Sequence, residues 1–149
     1  MGYYMRFISK NDLSKVLNDL ERHLKGIDAN FKFERSNDED SAADILYRNE
    51  PYSQVEVNVP NDGLFEEEIG ELQEFIEDIE GPGKEKVVDL LQNAKTIVCF
   101  QILFGGRTTD ETLDTLAPIW HWLFGNYPGL LQADGEGYWE NTNLILEVE

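Results

Sequence analysis

Thirty carboxylates, two histidines and one cysteine are the groups in this 149-residue chain with the most evident capacity for chemistry. His23 and His121 are too few for a histidine-based metal centre, and neither stands at motif spacing from a Ser or Cys nucleophile. His23 falls one helical turn from Asp19, where an exposed ion pair is expected. His121 lies between Trp120 and Trp122, so one tryptophan is expected to pack inward while the histidine meets a polar neighbour. Cys99 sits in the apolar run TIVCFQILF, has no second cysteine to pair with, and is expected as a buried thiol. Asp134 and Glu136, flanked by Gly135 and Gly137, lack the ligand spacing and closing glutamate of a calcium loop. Gly105 and Gly106 precede a helix, but GGRTTDE has no phosphate-loop spacing and its own acids would repel a phosphate. Paired carboxylates for glycoside hydrolysis cannot be singled out among so many acids. These patterns select no catalytic residue, no metal ligand and no cofactor site.

The acids are informative as a group. Residues 1–48 hold nine acids and eight bases, whereas residues 50–149 hold twenty-one acids and four bases, so nearly all of the net charge of −18 lies in the last two-thirds. No base occurs between Arg48 and Lys84, and none after Arg107. Eight acids, Glu66, Glu67, Glu68, Glu71, Glu74, Glu77, Asp78 and Glu80, fall on a helix expected over Leu64–Glu80. At ~1.5 Å rise per residue that helix carries about one charge per 3 Å, against one per ~3.4 Å for a DNA strand. Glu67 with Glu71, and Glu74 with Asp78, are like-charge pairs one turn apart, each unfavourable by ~0.2–0.5 kcal/mol. A helix that accepts such repulsion suits a partner of opposite charge. Glu67, Glu71, Glu74, Glu77 and Asp78 are therefore the candidate partner-binding residues, with Trp139 as an aromatic anchor.

These residues need elements to hold them. YYMRFIS reads as a strand, and Leu13, Val16, Leu17, Leu20 and Leu24 follow at helical spacing from a cap at Asn11 to Gly26. Phe31 and Phe33 alternate with polar residues, SNDEDS makes a turn, and Ile45 and Tyr47 begin a second strand that Pro51 interrupts. Val55, Val57 and Val59 form a third. The acidic helix carries the stripe Phe65, Ile69, Leu72, Ile76 and Ile79, GPG breaks the chain, and Val87 to Leu91 suit a shorter helix. Thr96 to Phe104 is apolar enough for a central strand. Thr108 and Glu111 form a capping box for a helix reaching Phe124, with a kink or break expected at Pro118. Two strands complete the tail, with a loop near Asp134 and a turn at Asn141 to Asn143. The order belongs to a single α+β domain over residues 1–149: three to four helices on a mostly antiparallel sheet of about five to six strands.

With 41% apolar residues and regularly spaced aromatics the chain can bury a core. It has no charged and apolar leader, and no run approaches the ~20 apolar residues of a membrane span. The lone cysteine fits a reducing compartment, and a soluble cytoplasmic chain is expected. Its charge repels nucleic acid and anionic membrane and raises the on-rate of basic partners.

The segment IWHWLF, followed by GLLQADGEGYW and the closing NLILEVE, resembles the C-terminal region of bacterial polymorphic-toxin immunity proteins. The resemblance covers the last third of the chain. It implies a cytoplasmic α+β domain that blocks one cognate toxin, and no motif of the family fixes a binding residue here. The resulting expectation is a non-enzymatic acidic protein that covers a basic toxin, for instance a nuclease. The alternative is a small enzyme or ligand-binding domain with a pocket between the sheet and the 108–124 helix. A self-associating module kept soluble by its acids is the third.

Overall fold

A computed structural model describes residues 2–35 and 41–148; the turn expected at SNDEDS falls, at residues 36–40, outside the described residues. Eight strands and four helices follow in the order β1 (Tyr3–Ser9), α1 (Val16–Ile27), β2 (Phe31–Glu34), β3 (Ala42–Tyr47), β4 (Glu50–Asn58), α2 (Phe65–Ile76), α3 (Lys84–Asn93), β5 (Thr96–Ile102), α4 (Thr109–Asn126), β6 (Leu130–Ala133), β7 (Gly137–Glu140) and β8 (Asn143–Glu147). The α+β class holds, with more strands than expected. All eight join one sheet in the order β2-β3-β4-β5-β1-β6-β7-β8, every pairing antiparallel.

Alternation along the strands divides the side chains between two faces. On the first, Met5, Phe7, Phe33, Ile45, Val55, Val98, Phe100 and Leu131 meet the apolar stripes of α1 (Leu17, Leu20, Leu24) and α4 (Leu116, Ile119, Leu123). Phe7 packs edge-on against Phe124 and Phe100 against Trp120, with ring centroids 5.3 and 4.8 Å apart. On the second, Ile8, Ile97, Leu130, Tyr138 and Leu146 meet Phe65, Leu72 and Ile76 of α2 and Val87, Leu90 and Leu91 of α3. Burial of each such side chain contributes roughly 1.5–3 kcal/mol.

Several expectations shift. Asn11 does not cap α1, whose N-cap position is Lys15 with no side-chain hydrogen bond. Instead the Asn11 carbonyl accepts from Thr96 Oγ1, which ties the segment to the start of β5. The break read at Pro51 is a two-residue turn at Arg48 and Asn49, with φ of 52° and 67°, and Pro51 lies within β4 beside a register shift. Such a turn requires positive φ at both residues, and Arg-Asn lacks the glycine that usually announces it. The tail forms three strands, because the loop at Asp134 is itself a tight turn between β6 and β7. Thr108 Oγ1 accepts from the Glu111 amide as a capping residue should, yet α4 runs unbroken through Pro118. Leu116, Ile119 and Leu123 are fully buried on both sides of that proline, and their packing outweighs one missing backbone bond.

The α2–α3 connection lies against the edge strand β8. A Cβ on Gly83 would stand 2.3 Å from the Ile145 carbonyl oxygen, whereas one on Gly26, in the last turn of α1, would meet nothing within 4 Å. Gly83→Ala is therefore expected to destabilise the fold by about 1–3 kcal/mol, and Gly26→Ala to stabilise it by up to about 1 kcal/mol. Urea unfolding of the two variants beside the parent measures both.

Candidate partner-binding surface

The acidic helix is built from its start. Asp62 Oδ1 accepts from the backbone amides of Leu64 and Phe65, both at 2.8 Å, and Oδ2 accepts from Val59. Partial burial pushes the Asp62 carboxyl up, but these amide hydrogen bonds outweigh it and hold the group below the ordinary aspartate range. From that cap Phe65, Leu72 and Ile76 turn onto the sheet.

One acid turns inward with them. Arg6, in the middle of β1, points beneath α2, where its Nε donates to Glu68 Oε1 at 2.7 Å. Its Nη1 donates to Gln132 Oε1 at 2.6 Å and to Asp134 Oδ1 at 3.0 Å. Asn58 of β4 donates to the second Glu68 oxygen at 3.2 Å, and the Tyr4 amide to the second Asp134 oxygen at 3.1 Å. This network joins α2, three strands and the β6–β7 turn, so Asp134 holds the fold together, and Glu136 likewise accepts from the Tyr3 hydroxyl. Among the described residues no group of three or more His, Cys, Asp or Glu side chains could hold a metal ion.

The other acids face solvent. Glu66, Glu67, Glu71 and Glu74 are exposed on α2, and Glu77, Asp78 and Glu80 are exposed just beyond it. The helix ends at Ile76 rather than Glu80, because its last turn carries no base to meet the negative end of the dipole. The cation comes from α3: Lys84 Nζ donates to the Glu77 carbonyl and pairs with Glu80 at 3.7 Å. Among the described residues Glu67, Glu71, Glu74 and Asp78 have no ion-pair partner. Over ~18 Å of helix, with Glu68 turned in, the four outward carboxylates give about one charge per 4.5 Å, sparser than the full run implies. Amid them stands Phe75, 68% exposed, on the rim of a groove of about 370 Å³ that Glu71, Gln132 and Val148 also line.

Trp139 is not part of this surface. It is half-buried against the core beneath α1 and α4, while its neighbour Tyr138 faces α2 and α3. The structure thus brings Glu67, Glu71, Glu74, Glu77 and Asp78 together and places Trp139 on the opposite side of the sheet. Phe75 occupies the aromatic position in its stead. It falls outside the stripe of Phe65, Ile69, Leu72, Ile76 and Ile79, which was the available sign of its exposure.

A second recess adjoins α2. Helices α2 and α3 cover the second face from β1 to β8 and over the Ile97 and Asn58 end of β5 and β4, and the rest of that face over β2 to β5 stays open. There a trough of about 510 Å³ is lined by Tyr4, Glu34, Arg35, Asp44, Gln54, Glu56, Cys99 and Gln101, with other residues of β3 and β4. Cys99 is consequently half-buried rather than buried, across the ladder from Arg6. Burial, aided by the Glu68 charge and opposed by Arg6, pushes its thiol up to about 12.

The histidines do not assemble a site. His23 stacks on Trp122 with centroids 5.8 Å apart, while Asp19 pairs with Arg22, because α4 offers the imidazole a large ring face. Trp120 packs inward, and His121 is exposed. The space between the sheet and α4 is filled by Phe7, Phe100, Leu116, Ile119 and Leu123, all without exposed surface. A cavity of about 420 Å³ lies instead at the C-terminal end of α4, and its two lysines, Lys10 and Lys86, are paired with Asp89 and Glu140. No helix among the described residues is long and apolar enough to cross a membrane.

Two outcomes follow from the buried cluster. Arg6→Met leaves Glu68 and Asp134 facing each other without a cation and should cost roughly 2–3 kcal/mol in urea unfolding, below the ~3–5 kcal/mol of a fully buried pair. The raised Cys99 thiol stabilises the fold in full below its unfolded value of ~8.5, and that contribution is lost as pH rises toward the folded value. Between about pH 9 and the folded value, about 12, the stability of the parent should therefore fall more steeply than that of Cys99→Ala. Compared with family models, with curated proteins and with solved structures, the chain matches none of them.

Proposed function

We propose that this chain is a non-enzymatic inhibitor: an acidic domain that covers the basic cleft of one protein partner, as immunity proteins cover cognate toxins in the bacterial cytoplasm. A toxin that acts on nucleic acid suits it best, since such an enzyme presents cations where its substrate's phosphates bind. The observation that carries this reading is the exposed row of Glu67, Glu71, Glu74, Glu77 and Asp78 around an exposed Phe75. The absence of ion-pair partners for Glu67, Glu71, Glu74 and Asp78 among the described residues leaves their charge available for steering. Phe75 supplies the desolvated centre that charge alone does not. The resemblance of the C-terminal third to immunity proteins supports the same reading.

The partner is identified by capture on the tagged protein at low salt and release at high salt, with one basic protein expected in stoichiometric amount. Against that purified partner, a Glu71→Lys, Glu74→Lys and Asp78→Lys variant should associate about tenfold more slowly or worse, with a flattened salt dependence. Phe75→Ala should act mainly on dissociation. Unchanged association rates in the lysine variant would remove this face from the interaction.

A further inference from the structure

The two faces of the sheet are unequally covered, and the uncovered part is neither apolar nor neutral. On the first face α1 and α4 pack over a continuous apolar core. On the second, α2 and α3 reach no farther than the Ile97 and Asn58 end of β5 and β4, and the open positions of β2 to β5 beyond it carry Lys32, Glu34, Asp44, Gln54, Glu56 and Gln101. An apolar helix laid there would strip water from these groups without hydrogen-bonding them, at a cost of several kcal/mol. A cationic segment would pair with Glu34 and Asp44. Among the described residues Arg35 is the base that lines the trough; its Nη2 donates to Glu21 at 3.2 Å while its buried Nη1 has no partner there, and Glu34 and Asp44 have no ion-pair partner. Four strands at ~4.8 Å spacing give a floor about 14 Å wide, enough for one helix of ~10 Å diameter or an extended segment. Tyr4 lines the trough, with the guanidinium of Arg6, itself paired with Glu68 of α2, 5.3 Å from its ring centroid.

We propose that this trough, and not α2 alone, seats the partner, by receiving a lysine- or arginine-bearing segment of a basic protein. The proposal rests on the reading of the chain as a cover for a basic partner. In it α2 steers the approach, while the trough and Phe75 hold what arrives.

A nona-arginine peptide tests the seat on the intact chain, by calorimetric titration at low salt with amide shifts mapped by NMR. Gln54→Trp fills the trough without changing charge, and Glu34→Gln with Asp44→Asn removes two trough charges. Glu71→Gln with Glu74→Gln removes two from α2, and Asp110→Asn with Asp114→Asn removes two from the outer side of α4, on the far face. The expected result is shifts at Asp44, Gln54 and Gln101, with affinity reduced roughly tenfold by either trough variant and less than about twofold by the α4 control. The charge variant decides the matter if Gln54→Trp does not fold. Shifts confined to α2, with only the α2 variant weakened, would overturn the trough as the seat and leave the acidic-cover reading standing. Equal weakening by all charge variants with scattered shifts would also overturn the seat, and no binding by the parent would overturn both.

Discussion

A guanidinium placed between a strand and a helix must be matched on every side, and Arg6 makes that demand at the centre of the sheet. Its donors reach Glu68, Gln132 and Asp134 within 2.6 to 3.0 Å. Desolvation of the cation would be prohibitive without those acceptors, and theirs without the cation. The rotation of α2 about its axis, the conformation of the β6–β7 turn and the boundary between the covered and open halves of the second face all depend on this match. Because Glu68 is drawn inward, the remaining acids of α2 are turned outward together.

The acidic character of α2 is tolerated for a reason that can be put in magnitudes. Each like-charge pair along it costs ~0.2–0.5 kcal/mol, whereas each of Phe65, Leu72 and Ile76 contributes roughly 1.5–3 kcal/mol by burial. Packing holds the helix against its own charge, so the solvent side is free to be shaped by whatever it meets. The same division recurs on β2 to β4, where Phe31, Phe33, Val55 and Val57 face the core and Lys32, Glu34, Gln54 and Glu56 face out.

Much of this was legible beforehand. The strand YYMRFIS, the stripe of α2, the cap at Thr108 and the central place of β5 follow from local pattern, and the outward position of the acids follows from the stripe. What was not legible depends on neighbours distant in sequence. Alternation shows that Glu34 and Gln54 avoid the core, but not that no helix covers them. The facing of Trp139 depends on its pairing with Leu131 of β6, and the inward turn of Glu68 on an arginine some sixty positions away. Cys99 read as buried because its neighbours are apolar, whereas the structure leaves its side of the sheet open.

The strand order also sets a sequence of events. β1 precedes the other seven strands in the chain yet lies between β5 and β6, with Tyr3 opposite Ile102 and Phe7 opposite Leu131. The hairpin of β3 and β4, closed by its two-residue turn, can form from local chain alone, but β1 has no strand to pair with until β5 exists. Closing so long a loop before any ladder bond repays it slows folding. On the ribosome the sheet can therefore close only after β5 and β6 have been made, and until then the apolar side of β1 waits without its partner strands.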